Sequence, residues 1–170
     1  MQSILVSACL LGHPVRYDGG RAEVEFHILR RWAAEGRVVA VCPEVAGGLP
    51  TPRPPAEISG GRGGSLVLDG SATVIDVAGR DITTSFVRGA EHVLAVAEAR
   101  GARIAVLKDG SPSCGSTYTY DGSFTGRRVP APGVTAARLR EAGLRVFGEA
   151  QLEEAAVYLA ALEGEGAGGA

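Results

Sequence analysis

Three short apolar runs in the sequence each lead directly into a loop that carries one of the three cysteines of the chain. The runs cover residues 4–6, 38–41 and 104–107, and they lead to Cys9, Cys42 and Cys114 respectively. Short apolar runs bounded by turn residues are typical of the buried strands of a parallel sheet. Neighbouring parallel strands place their carboxyl ends at one edge, where open α/β sheets bind ligands. The sequence therefore predicts that three thiols, distant along the chain, meet in one cleft.

Predicted helices alternate with these strands along the chain. The segment 23–35 repeats apolar residues at helical spacing, namely Val24, Ile28, Leu29 and Trp32. Asp81 is suited to cap a second helix over 81–100. A helix at 135–142, a strand at 144–147 and a closing helix at 151–162 follow. This alternation predicts an α/β fold, a single-domain Rossmann-like sheet that is mostly parallel and carries helices on both faces.

Two segments between the second and third strands depart from this alternation. The segment 43–55 is rich in proline, which predicts a stiff extended loop that passes over the sheet edge. The apolar runs 65–68 and 73–77 flank Asp69 and Gly70, a dipeptide typical of tight hairpin turns. The sequence therefore predicts a small β-hairpin excursion from the main sheet.

The length and composition of the chain suit one folded unit. The 170 residues are 45% hydrophobic, enough for a substantial core, and we expect one domain over 1–163 with a disordered glycine-rich tail at 164–170.

The apolar stretch at 1–11 is too short to span a membrane and lacks a basic leader, so we expect a cytoplasmic protein. An odd number of cysteines in a reducing compartment disfavours a disulfide framework.

The charge balance of the chain bears on its partners. A formal net charge of -2 and a sequence pI of about 5.9 provide no basic surface for wrapping nucleic acid. A small nucleobase or nucleotide remains compatible with this balance. We therefore expect a small-molecule partner and no membrane, while the oligomeric state is open.

The three cysteines suggest a metal centre by their positions more than by their spacing. Separations of 33 and 72 residues match no compact ligand motif, and a buried core thiol is the ordinary alternative for each. That alternative suits Cys42, which ends an apolar strand, better than Cys114, which lies in a polar turn. A closed zinc site needs four ligands. Three thiolates therefore favour an open catalytic metal or an iron-sulfur cluster with one free iron, unless His13 adds a fourth ligand.

Polar residues near these cysteines are candidates for catalysis. Glu44 follows Cys42 by two residues, which makes it a candidate general acid or base. Ser111 and Ser113 lie just before Cys114 and are suited to orient substrate or water, although serines in turns often serve only the backbone.

Further charged residues are candidates for substrate binding. Arg16 and Asp18 lie in a loop beyond Cys9 and are suited to bind a polar heterocycle, with ordinary turn formation as the alternative. Lys108 and Arg53 are possible contacts for an anion, but we favour solvated surface charges for both.

Three stretches of the sequence resemble the signatures of one known family. They are 7–12 with 16–19, 42–44 with 47–53, and 108–115. Together they resemble the thiouracil desulfurases, small single-domain proteins formerly known only as a domain of unknown function. The resemblance extends over about residues 4–148 and includes three separate motifs in the same order.

The resemblance implies a [4Fe-4S] cluster bound by Cys9, Cys42 and Cys114, with one open iron for the sulfur of the substrate. It also implies that Glu44 is the acid/base residue and that Ser111 assists it, with Ser113 as the alternative. The implied reaction is non-redox: water replaces the sulfur of 2-thiouracil or a related thiolated pyrimidine, giving uracil and hydrogen sulfide. A free base, a nucleoside, a nucleotide and thiolated RNA remain open as substrates.

Two other functions fit parts of the sequence. A zinc-dependent nucleobase hydrolase or deaminase is disfavoured because the His-x-Glu and Pro-Cys-x-x-Cys pair of the deaminases is absent. An iron-sulfur carrier or sensor without turnover would use the same cysteines, and sulfide release from 2-thiouracil would distinguish it from an enzyme.

Overall fold

The computed structural model describes residues 1–20 and 26–167, and these residues form a central parallel sheet with helices on both faces. The strands are β1 (Ile4–Ser7), β2 (Val38–Val41), β3 (Ala56–Ile58), β4 (Val74–Asp76), β5 (Ile104–Leu107), β6 (Thr119–Tyr120), β7 (Arg128–Val129) and β8 (Arg145–Gly148). The helices are α1 (His27–Ala34), α2 (Pro43–Ala46), α3 (Gly64–Leu68), α4 (Thr83–Ala99), α5 (Val134–Glu141) and α6 (Leu152–Ala167).

The central sheet has the strand order β2-β1-β5-β8, and every pairing in it is parallel. Ser7 of β1 lies opposite Val41 of β2, and Val6 lies opposite Val106 of β5. The three strands that precede the cysteines are therefore direct neighbours, as predicted. Their carboxyl ends lie at one edge of the sheet.

Two apolar layers cover the two faces of this sheet. On one face Ile4, Val6 and Ile104 pack against side chains of α1 and α6, including Trp32 and Leu159. The other face packs against α4 and α5 through a second buried cluster: Leu5, Ala105, Leu107, Val93, Ala97, Ala136 and Leu139. Residues 4–6 of β1 and all of β5 are apolar because successive side chains face opposite apolar layers, and this arrangement confirms the predicted fold class.

The predicted extended loop over 43–55 is wrong at its start, where the structure has helix α2. Pro43–Ala46 form one helical turn directly after β2, so the segment is not extended at its start. Pro43 is the first residue of that turn, where the missing N–H is not needed and the fixed φ angle suits a helix. The turn places Glu44 just beyond the sheet edge.

The predicted hairpin around Asp69 and Gly70 is wrong in its first strand. Residues 64–68 form α3, and β4 pairs antiparallel with β3 instead. Gly64 packs so closely against the backbone of Gly133 that a Cβ would overlap it. The dipeptide marks the end of α3, where Gly70 adopts a φ angle of 85°.

The start of the first predicted helix and the end of the last one also differ from the structure. Helix α1 begins at His27, and the first part of its predicted segment, including Val24, lies outside the described residues. Helix α6 continues to Ala167, so residues 164–167 of the predicted tail are helical, and 168–170 lie outside the described residues. Across the described chain no helix is both long and apolar enough to cross a membrane.

Candidate active site

A cleft of about 650 Å³ opens at the carboxyl edge of the central sheet. All three cysteines line it, each from the segment that follows a different strand. Cys9 lies in a 3-10 turn after β1, Cys42 directly precedes α2, and Cys114 lies in the loop after β5. The topology therefore brings together three residues that are far apart along the chain.

The three cysteines are free thiols with different exposure. Cys9 and Cys114 are buried, with 8% and 5% exposure, whereas Cys42 is partly exposed. Burial, together with a smaller effect of the nearby Cys42, raises the pKa of Cys9 to about 11. Burial raises the pKa of Cys114 to about 12, although hydrogen bonds with Ser7 and Ser113 act in the opposite direction. Burial therefore favours the protonated thiol at both positions.

Three thiols are donors of the kind that hold iron-sulfur clusters. Within 1–20 and 26–167, no three His, Cys, Asp or Glu side chains are grouped closely enough to hold a single metal ion. In an iron-sulfur cubane each thiolate binds a different iron, so the cysteines surround the group from separate sides. Three thiols on the walls of one cleft fit that arrangement. His13 is exposed and is not among the residues that line the cleft, so it is not positioned as a fourth ligand.

The loop that carries Cys114 is held by a buried carboxylate. Asp109 Oδ1 accepts hydrogen bonds from the backbone N–H groups of Ser116 and Thr117, both at 2.8 Å. Asp109 Oδ2 accepts a third from the Thr117 hydroxyl at 2.7 Å. The first N–H groups of α5 add to this support, since Val134 and Thr135 donate to the carbonyls of Pro112 and Ser113. Cys114 therefore sits on a loop that is fixed at both ends.

Glu44 and the two serines form a continuous chain of hydrogen bonds along the wall of the cleft. Ser113 Oγ donates to Glu44 Oε2 at 2.8 Å, and Ser111 Oγ lies 2.9 Å from Ser113 Oγ. Ser111 Oγ also accepts the backbone N–H groups of Ser113 and Cys114. The structure thus brings together the predicted acid/base residue and both candidate serines, with Ser113 in direct contact with Glu44.

Arg53 is buried and is not the solvated surface charge that we expected from the sequence. Its side chain is only 5% exposed, and its Nε donates to Glu44 Oε1 at 3.0 Å. The same guanidinium donates to the carbonyls of Pro50 and Val15 and to the Thr51 hydroxyl. No local pattern in the sequence indicates this burial, because the partners of Arg53 lie at Glu44, at residues 50–51 and at Val15.

The two residues predicted to bind substrate from the loop after Cys9 have different positions. Arg16 lines the cleft. Asp18 is exposed, does not line the cleft, and accepts a hydrogen bond from the N–H of Gly20 at 2.8 Å. Asp18 therefore makes the turn-forming contact that was the alternative prediction.

Lys108 is also not the solvated surface charge that we expected from the sequence. It lines the cleft, and its side chain is 25% exposed. Its ammonium group pairs with the Glu149 carboxylate at 2.6 Å, and the other oxygen of that carboxylate accepts the backbone N–H of Asp109 at 2.7 Å. Glu149 therefore joins the end of β8 to the start of the loop that carries Cys114.

An aromatic wall of the cleft was not predicted from the sequence. It consists of Tyr118 and Tyr120 with Phe124 and Arg128, and the guanidinium of Arg128 lies 4.2 Å from the centre of the Tyr118 ring. Phe124 has a φ angle of 58°, and its backbone N–H donates to Glu57 Oε1 at 3.2 Å. Tyr118 and Tyr120 are two positions apart, as in an alternating strand, but two residues are too few for a reliable prediction.

Comparison with known proteins identifies the family of this chain. A family model described as 2-thiouracil desulfurase matches residues 4–151. The chain belongs to the 2-thiouracil desulfurase family. This confirms the resemblance inferred from the three motifs, and the match includes all three cysteines.

Two individual relatives of the family are similar over most of their length. An uncharacterized protein of Bacillus subtilis (strain 168), YbbK, is 44% identical over 151 residues, which cover 89% of this chain and 98% of the relative. A solved structure described as the [4Fe-4S]-dependent thiouracil desulfidase TudS is 49% identical, with a TM-score of 0.85. That similarity covers 94% of this chain and 99% of the solved chain.

Proposed function

We propose that this protein is a [4Fe-4S]-dependent desulfidase that removes the sulfur of 2-thiouracil or a related thiolated pyrimidine and releases uracil and hydrogen sulfide. The observation that carries the proposal is the meeting of Cys9, Cys42 and Cys114 in one cleft. Support also comes from the family of the chain and from its 49% identity to a protein described as a thiouracil desulfidase. Free thiols of this kind suit the reducing cytoplasm.

The three cysteines would hold the iron-sulfur cluster and leave one of its four irons without a protein ligand. When bound, the iron-sulfur cluster supplies a Lewis acid that accepts the sulfur of the substrate. The site then needs a group that moves protons while water replaces sulfur at the ring carbon. The overall change is C=S plus H₂O to C=O plus H₂S, so no electron donor or acceptor is required.

Glu44 is the residue we propose for proton transfer. Its Oε2 accepts a hydrogen bond from Ser113, and Ser113 in turn contacts Ser111, which is less buried. A proton from the attacking water can therefore reach the carboxylate through two hydroxyl groups. The same carboxylate can return a proton to the departing sulfur, which leaves as hydrogen sulfide.

The walls of the cleft suit a small planar heterocycle. We propose that Arg16 contributes a polar contact to the ring of the substrate, since it lines the cleft, whereas the predicted substrate contact Ser113 is 1% exposed and its hydroxyl is engaged with Glu44 and Ser111. The aromatic wall formed by Tyr118, Tyr120 and Phe124 provides faces on which a pyrimidine can stack. We propose no substrate role for Asp18, because it lies outside the cleft.

Anaerobic reconstitution followed by a sulfide assay tests this proposal. We expect a brown protein with about four irons per chain that releases sulfide from 2-thiouracil without a reductant. A Cys114→Ser variant should lose iron, whereas Glu44→Gln should retain iron and lose most of its turnover. A colourless protein with one zinc would exclude the iron-sulfur cluster. A brown wild-type protein that releases no sulfide would instead favour a carrier or sensor.

A further inference from the structure

We propose that Arg53 is a positioning residue that fixes the orientation of the Glu44 carboxylate. The inference rests on the proposed function of Glu44 in proton transfer. Arg53 Nε donates to Glu44 Oε1 at 3.0 Å, while Oε2 of the same carboxylate accepts from Ser113 at 2.8 Å. The two oxygens therefore have separate partners. Arg53 occupies one oxygen and leaves the other to the serines.

Besides Glu44, the guanidinium of Arg53 contacts two further segments of the chain, at residues 50–51 and at Val15. Its terminal nitrogens donate to the Pro50 carbonyl at 3.1 Å, the Thr51 hydroxyl at 3.0 Å and the Val15 carbonyl at 2.9 Å. Its backbone N–H donates to the Tyr17 carbonyl at 2.6 Å. With these contacts Arg53 joins the loop after Cys9, the proline-rich loop and Glu44.

Glu44 needs such support because its own element is short. Helix α2 is a single turn, and a glutamate side chain rotates about three bonds, so the backbone alone does not fix the direction of its carboxylate. The bond from Arg53 restricts this rotation. Arg53 thereby keeps Oε2 within hydrogen-bond distance of Ser113.

Arginine is better suited to this position than lysine. The planar guanidinium of Arg53 donates four hydrogen bonds in fixed, different directions. A lysine ammonium is a single compact group and cannot reproduce this arrangement. The same contacts argue against direct binding of substrate by Arg53. They use four of the five N–H donors that a guanidinium carries, and the side chain is only 5% exposed.

A double-mutant cycle between Arg53 and Glu44 tests the inference in the reconstituted enzyme. Arg53→Met should lower kcat by about 100-fold with KM changed less than about twofold and iron content unchanged. Arg53→Lys should recover only part of kcat. Because Arg53 acts through Glu44, the double variant Glu44→Gln/Arg53→Met should be no slower than Glu44→Gln alone. Arg80→Met is the matched control, since Arg80 also pairs with a buried carboxylate, that of Asp76 at 2.7 Å, but is itself 65% exposed and does not line the cleft.

Thermal unfolding of the cluster-free protein provides a second readout that does not depend on activity. Arg53→Met should lower the melting temperature because the Glu44 carboxylate, which is 15% exposed, loses its cationic partner. Adding Glu44→Gln should restore part of that loss.

Three results would overturn the inference. The first is an Arg53→Met enzyme whose kcat equals that of the Arg80→Met control. The second is a double variant in which the losses in kcat of the two single variants multiply. The third is an Arg53→Met enzyme with a raised KM and an unchanged kcat. If the wild-type protein releases no sulfide, the proposed function fails, and the melting temperatures still decide whether Arg53 and Glu44 are coupled.

Discussion

Ser113 Oγ donates a hydrogen bond to Glu44 Oε2 at 2.8 Å, although the two residues are 69 positions apart in the chain. A serine hydroxyl has one proton, and this carboxylate is a closer and stronger acceptor than the Cys114 sulfur at 3.7 Å. The Ser111 hydroxyl must then be the donor in its contact with Ser113. The direction of the hydrogen bonds therefore runs from Ser111 through Ser113 to Glu44.

Replacement of Ser113 by alanine should break this chain of hydroxyl groups. We expect Ser113→Ala to lower kcat by roughly 100-fold, because the link between Glu44 and Ser111 is lost while all three cysteines are retained. Iron content and sulfide release from 2-thiouracil measure the two effects separately. Ser65→Ala, on the exposed side of α3, is the control and should behave as wild type. Full turnover in Ser113→Ala would remove the serine chain from the mechanism.

Replacement of Gly89 by alanine should displace α2 from its position on α4. A Cβ at Gly89 would overlap the carbonyl oxygen of Pro43, and a Cβ at Gly47 would overlap the carbonyl oxygen of Ser85. Alanine normally stabilises a helix by up to about 1 kcal/mol relative to glycine. Here we expect Gly89→Ala to lower the free energy of unfolding by about 1–3 kcal/mol, because overpacking outweighs that gain.

The matched control for Gly89 is Gly164 in α6, where a Cβ meets no atom within 4 Å. Gly164→Ala should leave stability unchanged or raise it slightly. Urea unfolding of both variants measures the difference, and iron binding should fall only in Gly89→Ala because α2 follows Cys42. Equal stability of the two variants would contradict the close packing of α2 on α4.

Replacement of Asp109 by alanine should loosen the loop that carries Cys114. The carboxylate accepts two backbone N–H groups and a hydroxyl within that loop, and removing it leaves these donors without an acceptor. We expect a loss of at least about 2 kcal/mol in the free energy of unfolding and weaker retention of iron. Asp69→Ala is the control, since Asp69 accepts a comparable bond from Ser71 at an exposed turn. An Asp109→Ala protein that unfolds and binds iron like Asp69→Ala would disprove this role.

The convergence of the cysteines could be predicted from the sequence because it depends on local patterns. The apolar runs before Cys9 and Cys114 are buried on both faces of a parallel sheet, so no polar residue interrupts them. Once the strands are neighbours, the fold itself brings the residues that follow them to one edge. Glu44 could be placed near the cleft for the same reason, since it lies two residues after Cys42.

Features that depend on distant contacts could not be predicted in this way. Arg53 is buried because Val15, 38 residues away, and Glu44 accept its hydrogen bonds. The run 65–68 is too short to show a period, and the close contact of Gly64 with Gly133 joins residues that are distant along the chain. Asp18 illustrates a different difficulty, since the sequence of a turn and that of a binding loop are alike.

Replacement of Glu163 by glutamine should destabilise the protein in a pH-dependent manner. Hydrogen bonds from the Gln2 backbone N–H at 3.0 Å and from Arg37 at 2.9 Å lower the pKa of Glu163 below its ordinary value of 4.5. Because the pKa is lower in the folded than in the unfolded chain, ionised Glu163 stabilises the fold above about pH 4.5. That contribution decreases as the pH falls through the folded pKa.

The difference in melting temperature between wild type and Glu163→Gln should therefore be largest near neutral pH and should shrink toward about pH 3. Glu165→Gln, on the exposed surface of the same helix, controls for the loss of a negative charge. A difference that stays constant over this pH range would show that Glu163 acts by packing alone. The expected trend would instead confirm that α6 is tied to β1 and β2 through an ionised carboxylate, because Gln2 and Arg37 lie just before those strands.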